Sequence, residues 1–239
     1  FNKLIASTYL SCSAKGTGLV ISPWNFPLAI PCGGIAASLI TGNNVLFKPA
    51  PEVLPIAYEL AQIFWESGVP NTALGFIPCE DSPSLDTLVS HPKISYLIFT
   101  GSTQTAKHIS LINPQLPIYG ETGGKNTIIV TSMADRDLAI KHIIDSAFSF
   151  AGQKCSAASL LILETEVYKD KEFKEKLCDA IKSIQVGSSW DLSNKYSMRV
   201  QRPSELLKHV LIPTGNKENY IIFSRKSHEN RSFLKPTLI

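Results

Sequence analysis

No stretch of this 239-residue chain approaches the roughly 18 consecutive apolar residues that a membrane-spanning helix needs. The first residues do not read as a secretory leader either. Paired cysteines are also lacking: the five present (Cys12, Cys32, Cys79, Cys155 and Cys178) are odd in number and widely separated. That pattern excludes a disulfide framework and offers no zinc-binding spacing, so no metal site is expected and a reducing, cytoplasmic setting is. Charge of one sign is missing as well. The formal net charge is +3, and the densest basic patch, Lys169 to Lys176, interleaves Asp170, Glu172 and Glu175. It reads as a solvated helix face, and nucleic acid is not an expected partner. There is no internal repeat or low-complexity tract.

What remains is the composition of a globular protein, 44% apolar and 18% charged, with enough chain for one large domain or two smaller ones. It starts at Phe1 without a methionine and stops at Ile239 within an apolar stretch, and is expected to be a piece of a longer protein.

Apolar runs alternate with helical patterns. Strands are predicted at 17–22, 44–48, 73–78, 95–100, 117–120, 127–131 and 158–163, separated by helices near 28–41, 51–67, 84–90, 104–111 and 136–150. A charged helix at 170–184, a loop at 187–194, a helix at 204–211 and a strand at 220–223 would follow. Continuous apolar strands separated by helices imply a parallel sheet covered on both faces, with ligands at the carboxyl ends of its strands. The fold class is α/β, with a domain boundary placed near Gly124. Small residues between Leu28 and Thr41 (Gly33, Gly34, Ala36, Ala37 and Ser38) would let that helix pack closely on the sheet.

Two phosphate motifs can be tested and rejected. Gly120 to Asn126 has three residues instead of four before Gly124-Lys125, and Asn126 stands where a P-loop needs a hydroxyl. Gly16-Thr17-Gly18 precedes a strand instead of following one and lacks a third glycine. A better anion site is Gly101-Ser102-Thr103, where a strand runs into a helix N-terminus whose dipole and unpaired amides favour negative charge. Cys155, set between Gly152-Gln153-Lys154 and Ser156-Ala157, has the small and cationic neighbours of a reactive thiol; a lone cysteine is otherwise most often a small buried hydrophobe.

In order along the chain come Ser22-Pro23-Trp24-Asn25-Phe26-Pro27, Gly42-Asn43 to Lys48-Pro49, Phe99-Thr100-Gly101-Ser102-Thr103, Glu121-Thr122-Gly123-Gly124-Lys125-Asn126, Gly152-Gln153-Lys154-Cys155 and Lys235-Pro236-Thr237-Leu238-Ile239. This set resembles the NAD(P)-dependent aldehyde dehydrogenases, including the 34 residues from Glu121 to Cys155. Within that family the segments around Glu121 and Cys155 look most like the L-glutamate γ-semialdehyde (1-pyrroline-5-carboxylate) dehydrogenases. Ile21 to Ile30 and the Gly101 loop look like the dehydrogenase part of bifunctional proline utilization A proteins.

The resemblance implies a Rossmann-like cofactor domain over residues 1–124, incomplete at its N-terminus, and part of an α/β catalytic domain over 125–239, incomplete at its C-terminus. It also implies that Cys155 is the nucleophile, forming a thiohemiacetal and then a thioester. The Asn25 amide and the Cys155 N–H would hold the oxyanion, and Glu121 would activate the hydrolytic water. Ser22, Pro23, Trp24, Lys48, Gly101, Ser102 and Gly123 would bind the cofactor, NAD with NADP left open, Lys48 at the adenosine ribose and Gly101-Ser102 at the pyrophosphate. Phe26 and Ser156 would bind the small aldehyde, glutamate γ-semialdehyde. A linked or associated proline dehydrogenase and a homo-oligomer are the implied partners.

Plainer roles stand beside these: Asn25 as a turn residue, Glu121 as a partner for Lys125, Lys48 as a solvated edge charge, Phe26 as a core aromatic and Ser156 as a helix-start residue. The chain departs from the family pattern at Pro51, where a glutamate is common, with Glu52 displaced by one; at Cys79-Glu80-Asp81, where glycines are usual; and at Ala106. Other readings are a CoA-acylating relative, a thiol hydrolase pairing Cys155 with His142 or His209, and a non-catalytic NAD-binding module.

Overall fold

The expected alternation is present in the computed structural model, which describes residues 13–80, 83–194, 196, 198–201, 204 and 236–238. The helix expected at 204–211 and the strand at 220–223 lie outside the described residues, Ser204 apart. The chain divides into two compact units after Gly123.

In the first unit β1 (Thr17–Ser22), β2 (Asn44–Pro49), β3 (Leu74–Phe76), β4 (Ile94–Gly101) and β5 (Ile118–Thr122) alternate with helices. These are α1 (Ala29–Ile40), α2 (Leu54–Glu66), α3 (Ser84–Val89) and α4 (Thr103–Ile112). All four strand pairings are parallel, in the order β3-β2-β1-β4-β5. The order reverses at β1: the chain builds outward through β2 and β3, then crosses to the other side of β1 for β4 and β5. The carboxyl ends of β1 and β4 therefore bound a topological switch point, where open α/β sheets bind ligands.

Side chains of β1 alternate between two cores, as a pleated strand requires. Leu19 and Ile21 pack with Leu97, Phe99, Leu85, Val89 and Ile109 on one face, and Val20 packs with Ile35, Val45, Phe47, Ala57 and Leu60 on the other. The small residues of α1 do not all serve its contact with the sheet. Pro31, Ile35 and Ser38 are buried, whereas Gly33, Ala36 and Ala37 are exposed, because the 3.6-residue period turns them outward. Gly34 makes the close approach: a β-carbon there would lie 3.2 Å from Val20 and 3.3 Å from Ile98.

The second unit pairs β6 (Asn126–Val130) with β7 (Ala158–Leu163) in parallel. With α5 (Arg136–Phe148), the short α6 (Thr165–Lys169) and α7 (Lys171–Ser183), these strands enclose a core of Val130, Ile140, Ile143, Val167, Phe173, Leu177 and Ile181. Asp135 and Asp170 cap α5 and α7, accepting from Leu138 N at 2.9 Å and Phe173 N at 3.1 Å. Helix α5 ends at Phe148, two residues short of the expected Phe150, because a turn with left-handed backbone follows. Among the described residues, one face of the β6–β7 pair packs on this core and the other carries exposed apolar side chains. Ile129, Leu160 and Ile162 are 67%, 44% and 46% exposed, which differs from the expectation that every strand is buried on both sides.

Two consequences can be measured. Phe47 is fully buried, 5.7 Å edge-on from Phe76, so Phe47→Ala should lower unfolding free energy by about 3–5 kcal/mol in urea titrations. The exposed Glu164 carboxylate accepts a short hydrogen bond from Ser132 N, which holds its pKa below the usual carboxylate value. The stability it confers is full above that usual value and is lost as pH falls through the lowered one. Glu164→Gln should therefore lower the thermal midpoint at neutral pH, with the two proteins converging in acid.

Candidate functional site

Strand β1 ends at Ser22, 3% exposed, and the half-buried Pro23-Trp24-Asn25-Phe26-Pro27 carries the chain into α1. The two prolines fix φ on either side of Asn25 and Phe26. Ile30 N donates to Phe26 O at 3.3 Å, so the turn is joined to the first turn of α1. Ser22 Oγ is buried and has no hydrogen-bond partner among the described residues. A buried hydroxyl left without a partner is costly, and at the end of the strand beside the switch point it fits a site that a polar ligand or water completes.

Lys48 sits near the end of β2, in register with Ile21 of β1, and is 1% exposed. Burial overturns the plain reading of a solvated edge charge: a buried ammonium must be held by polar groups, unlike one on a strand edge. Gly101 ends β4, and Ser102 caps α4 by accepting from Thr105 N at 3.0 Å. The Ser102 hydroxyl is thereby engaged with its own helix, and the remaining amides of that first turn are what an anion would meet. Glu121 and Thr122 lie within β5, paired with Thr100 and Gly101, so the strand runs two residues past the expected Gly120. Glu121 and Gly123 are exposed, and no atom lies within 4 Å of where a Gly123 β-carbon would stand. The first unit thus gathers Ser22, Lys48, Gly101, Ser102 and Glu121 at the carboxyl edge of its sheet. The buried Ser22 hydroxyl and the α4 N-terminus at a switch point together fit a dinucleotide.

In the second unit Cys155 and Ser156 are exposed between α5 and β7. Phe150 and Ala151 adopt φ of 54° and 55°, and Gly152 follows at 70°. Two consecutive non-glycine residues in the left-handed region are strained, and such strain persists only where the surroundings hold it. Gln153 does part of that: 8% exposed, it donates from Nε2 to Phe150 O at 3.2 Å and accepts from Val200 N at 2.9 Å through Oε1. The thiol itself is on the next turn, closed by Ala157 N donating to Lys154 O at 3.1 Å.

Asn126, the first residue of β6, reaches this turn: its Nδ2 donates to Cys155 O at 2.6 Å and to Ala157 O at 3.0 Å. In the sequence Asn126 reads only as the end of the motif that begins at Glu121. A side-chain amide bound to distant backbone carbonyls leaves no mark in spacing or periodicity.

Most of the departures from the family pattern fall among the described residues. Glu52 is exposed in the 3₁₀ turn Pro51–Val53, Cys79 is half-buried, Glu80 is exposed, and Ala106 packs against the core. Asp81 lies outside the described residues, as do Lys235, Ile239 and His209, while His142 is exposed on α5. Among the described residues no three His, Cys, Asp or Glu side chains group as metal ligands, and no helix is long and apolar enough to cross a membrane.

The sequence profile of the Aldehyde dehydrogenase family matches residues 5–239. A 1-pyrroline-5-carboxylate dehydrogenase of Oceanobacillus iheyensis is 37% identical over 234 residues, 93% of this chain and 45% of that protein. The Bacillus subtilis protein of the same name is 34% identical over 94% of this chain and 45% of its own length. The chain thus spans less than half the length of these relatives. Among solved structures, Proline Utilization A from Corynebacterium freiburgense is similar with a TM-score of 0.89 and 34% identity, over 99% of this chain and 24% of that one. A betaine aldehyde dehydrogenase from Staphylococcus aureus, determined in complex with NAD+, is similar with a TM-score of 0.83 and 26% identity, over 94% of this chain and 46% of that one.

The left-handed turn makes opposite forecasts for adjacent residues. At Gly152 a β-carbon would meet both a positive φ and Ala147 O at 3.1 Å, so Gly152→Ala should cost about 1–2 kcal/mol in chemical denaturation. Ala151→Gly relieves strain at a φ of 55° and should cost nothing or stabilise by a few tenths.

Proposed function

The chain belongs to the aldehyde dehydrogenase family, and on that premise we propose that it carries the nucleophile and much of the cofactor site of an NAD-dependent L-glutamate γ-semialdehyde dehydrogenase. The observation that carries this reading is the exposed Cys155 on a strained, side-chain-held turn, in a chain 37% identical to a 1-pyrroline-5-carboxylate dehydrogenase. On this reading residues 1–124 bind the dinucleotide and 125–239 contribute to the catalytic domain. The product is L-glutamate, and the reaction is a step of proline catabolism. The similarity to Proline Utilization A supports a proline dehydrogenase, linked or associated, as the source of the substrate. A homo-oligomer in the cytoplasm is part of the same proposal.

Each residue then has a chemical task. Cys155, as thiolate, attacks the aldehyde carbon, and the carbonyl π electrons move onto oxygen. The Asn25 side-chain amide and the Cys155 N–H donate to that oxyanion. Bound NAD supplies the hydride acceptor. Loss of hydride from the adduct leaves a thioester on Cys155; Glu121 takes a proton from water as it attacks, and the thiolate departs as leaving group. Ser22, Pro23, Trp24, Lys48, Gly101, Ser102 and Gly123 hold the dinucleotide, the buried Lys48 at the adenosine ribose and the α4 N-terminus at the pyrophosphate. Phe26 lines the aliphatic part of the substrate, and Ser156 donates to its α-carboxylate.

At the protein's native length, Cys155→Ala should abolish reduction of NAD by glutamate γ-semialdehyde. Full activity in that variant would refute the proposal. Glu121→Gln should lower kcat by about 10²–10⁴-fold while leaving a first-turnover burst of reduced nicotinamide.

A further inference from the structure

We propose that Asn126 is a positioning residue for the Cys155 thiol, setting the place of the nucleophile through the backbone of the turn that bears it. This rests on the reading of Cys155 as the nucleophile.

The turn runs from Lys154 to Ala157, with Cys155 at its second position. One hydrogen bond, Ala157 N to Lys154 O at 3.1 Å, closes it internally. A single bond of that kind leaves an exposed turn free to rock about its ends. The two bonds from Asn126, to Cys155 O at 2.6 Å and Ala157 O at 3.0 Å, fix the residue that bears the thiol and the residue that closes the turn. Both acceptors are carbonyl oxygens, so the group facing them must be the two-proton amide nitrogen. Asparagine is suited to this pair of contacts: aspartate has no donor, serine has one, and alanine has none.

The support is rigid. Asn126 opens β6 opposite Ala158, the first residue of β7, and the register shifts between Asn126 and Thr127. Ala157 directly precedes β7, so the amide spans the point where the ladder begins and the turn enters it. On the other flank the left-handed residues 150–152 are held by Gln153. Cys155 is thus anchored on both sides although its side chain is exposed. Nucleophilic attack depends on distance and angle, and a displacement of about 1 Å can cost on the order of 10²-fold in rate.

The test is Asn126→Ala in the protein at its native length, with turnover normalised to Cys155 titrated by iodoacetamide. We expect kcat to fall about 10–100-fold with KM for NAD unchanged. The rate and pH midpoint of Cys155 alkylation should stay as in the parent, since neither the charge near the thiol nor its exposure changes. Asn126→Ser, which retains one donor, should fall between the two; it decides the matter if the alanine variant does not fold. Parent-like kcat per titrated thiol, with only a lower melting temperature, would overturn the proposal by reducing Asn126 to a structural role. A parallel loss of turnover and alkylation would overturn it by making the effect one of thiol chemistry. An active Cys155→Ala protein would instead remove the nucleophile assignment beneath it.

Discussion

Parallel pairing of β1 with both β2 and β4 is the constraint on which the first unit depends. A parallel neighbour cannot be reached by a hairpin, so each addition to the sheet requires a crossover, and the crossovers become the helices that cover its two faces. Because β1 is central and is flanked from both directions, its carboxyl end is where successive crossovers diverge. Ser22 and the proline-bounded turn that carries Asn25 stand at that point, and Gly101-Ser102 stands beside it at the end of β4. The chemistry proposed for these residues follows from their position at strand ends more than from any one side chain.

The second unit solves a different problem. The nucleophile proposed at Cys155 must be exposed to substrate yet held in place, and exposed loops are by default mobile. Here the turn preceding Cys155 spends conformational strain at Phe150 and Ala151, Gln153 ties that turn to Val200, and Asn126 ties the thiol-bearing turn to the start of β6. Backbone carbonyls, not the thiol, are the points of attachment, which leaves the sulfur free for chemistry.

The element order and the parallel sheet were legible in the sequence because buried strands read as continuous apolar runs and the helices between them carry their own punctuation. Among the segments that carry the family resemblance, Ser22 to Pro27, Phe99 to Thr103 and Glu121 to Asn126 are strand ends with the turns after them, while Gly152 to Cys155 follows α5 and leads toward β7. Less could be read where tertiary contacts decide. The exposed outer face of β6 and β7 cannot be told from a covered one by its apolar residues, and the burial of Lys48 runs against its residue type. The end of α5 at Phe148 and the contacts of Asn126 depend on left-handed backbone and on side-chain bonds across 29 residues, which no local pattern encodes.

The central claim is that Cys155 forms the covalent intermediate. Peptide mass spectrometry of Glu121→Gln protein, at native length, quenched during turnover with NAD and glutamate γ-semialdehyde tests it most directly. The account predicts a glutamyl thioester on the peptide containing Cys155; turnover with that peptide unmodified, or an adduct on another residue, would contradict it.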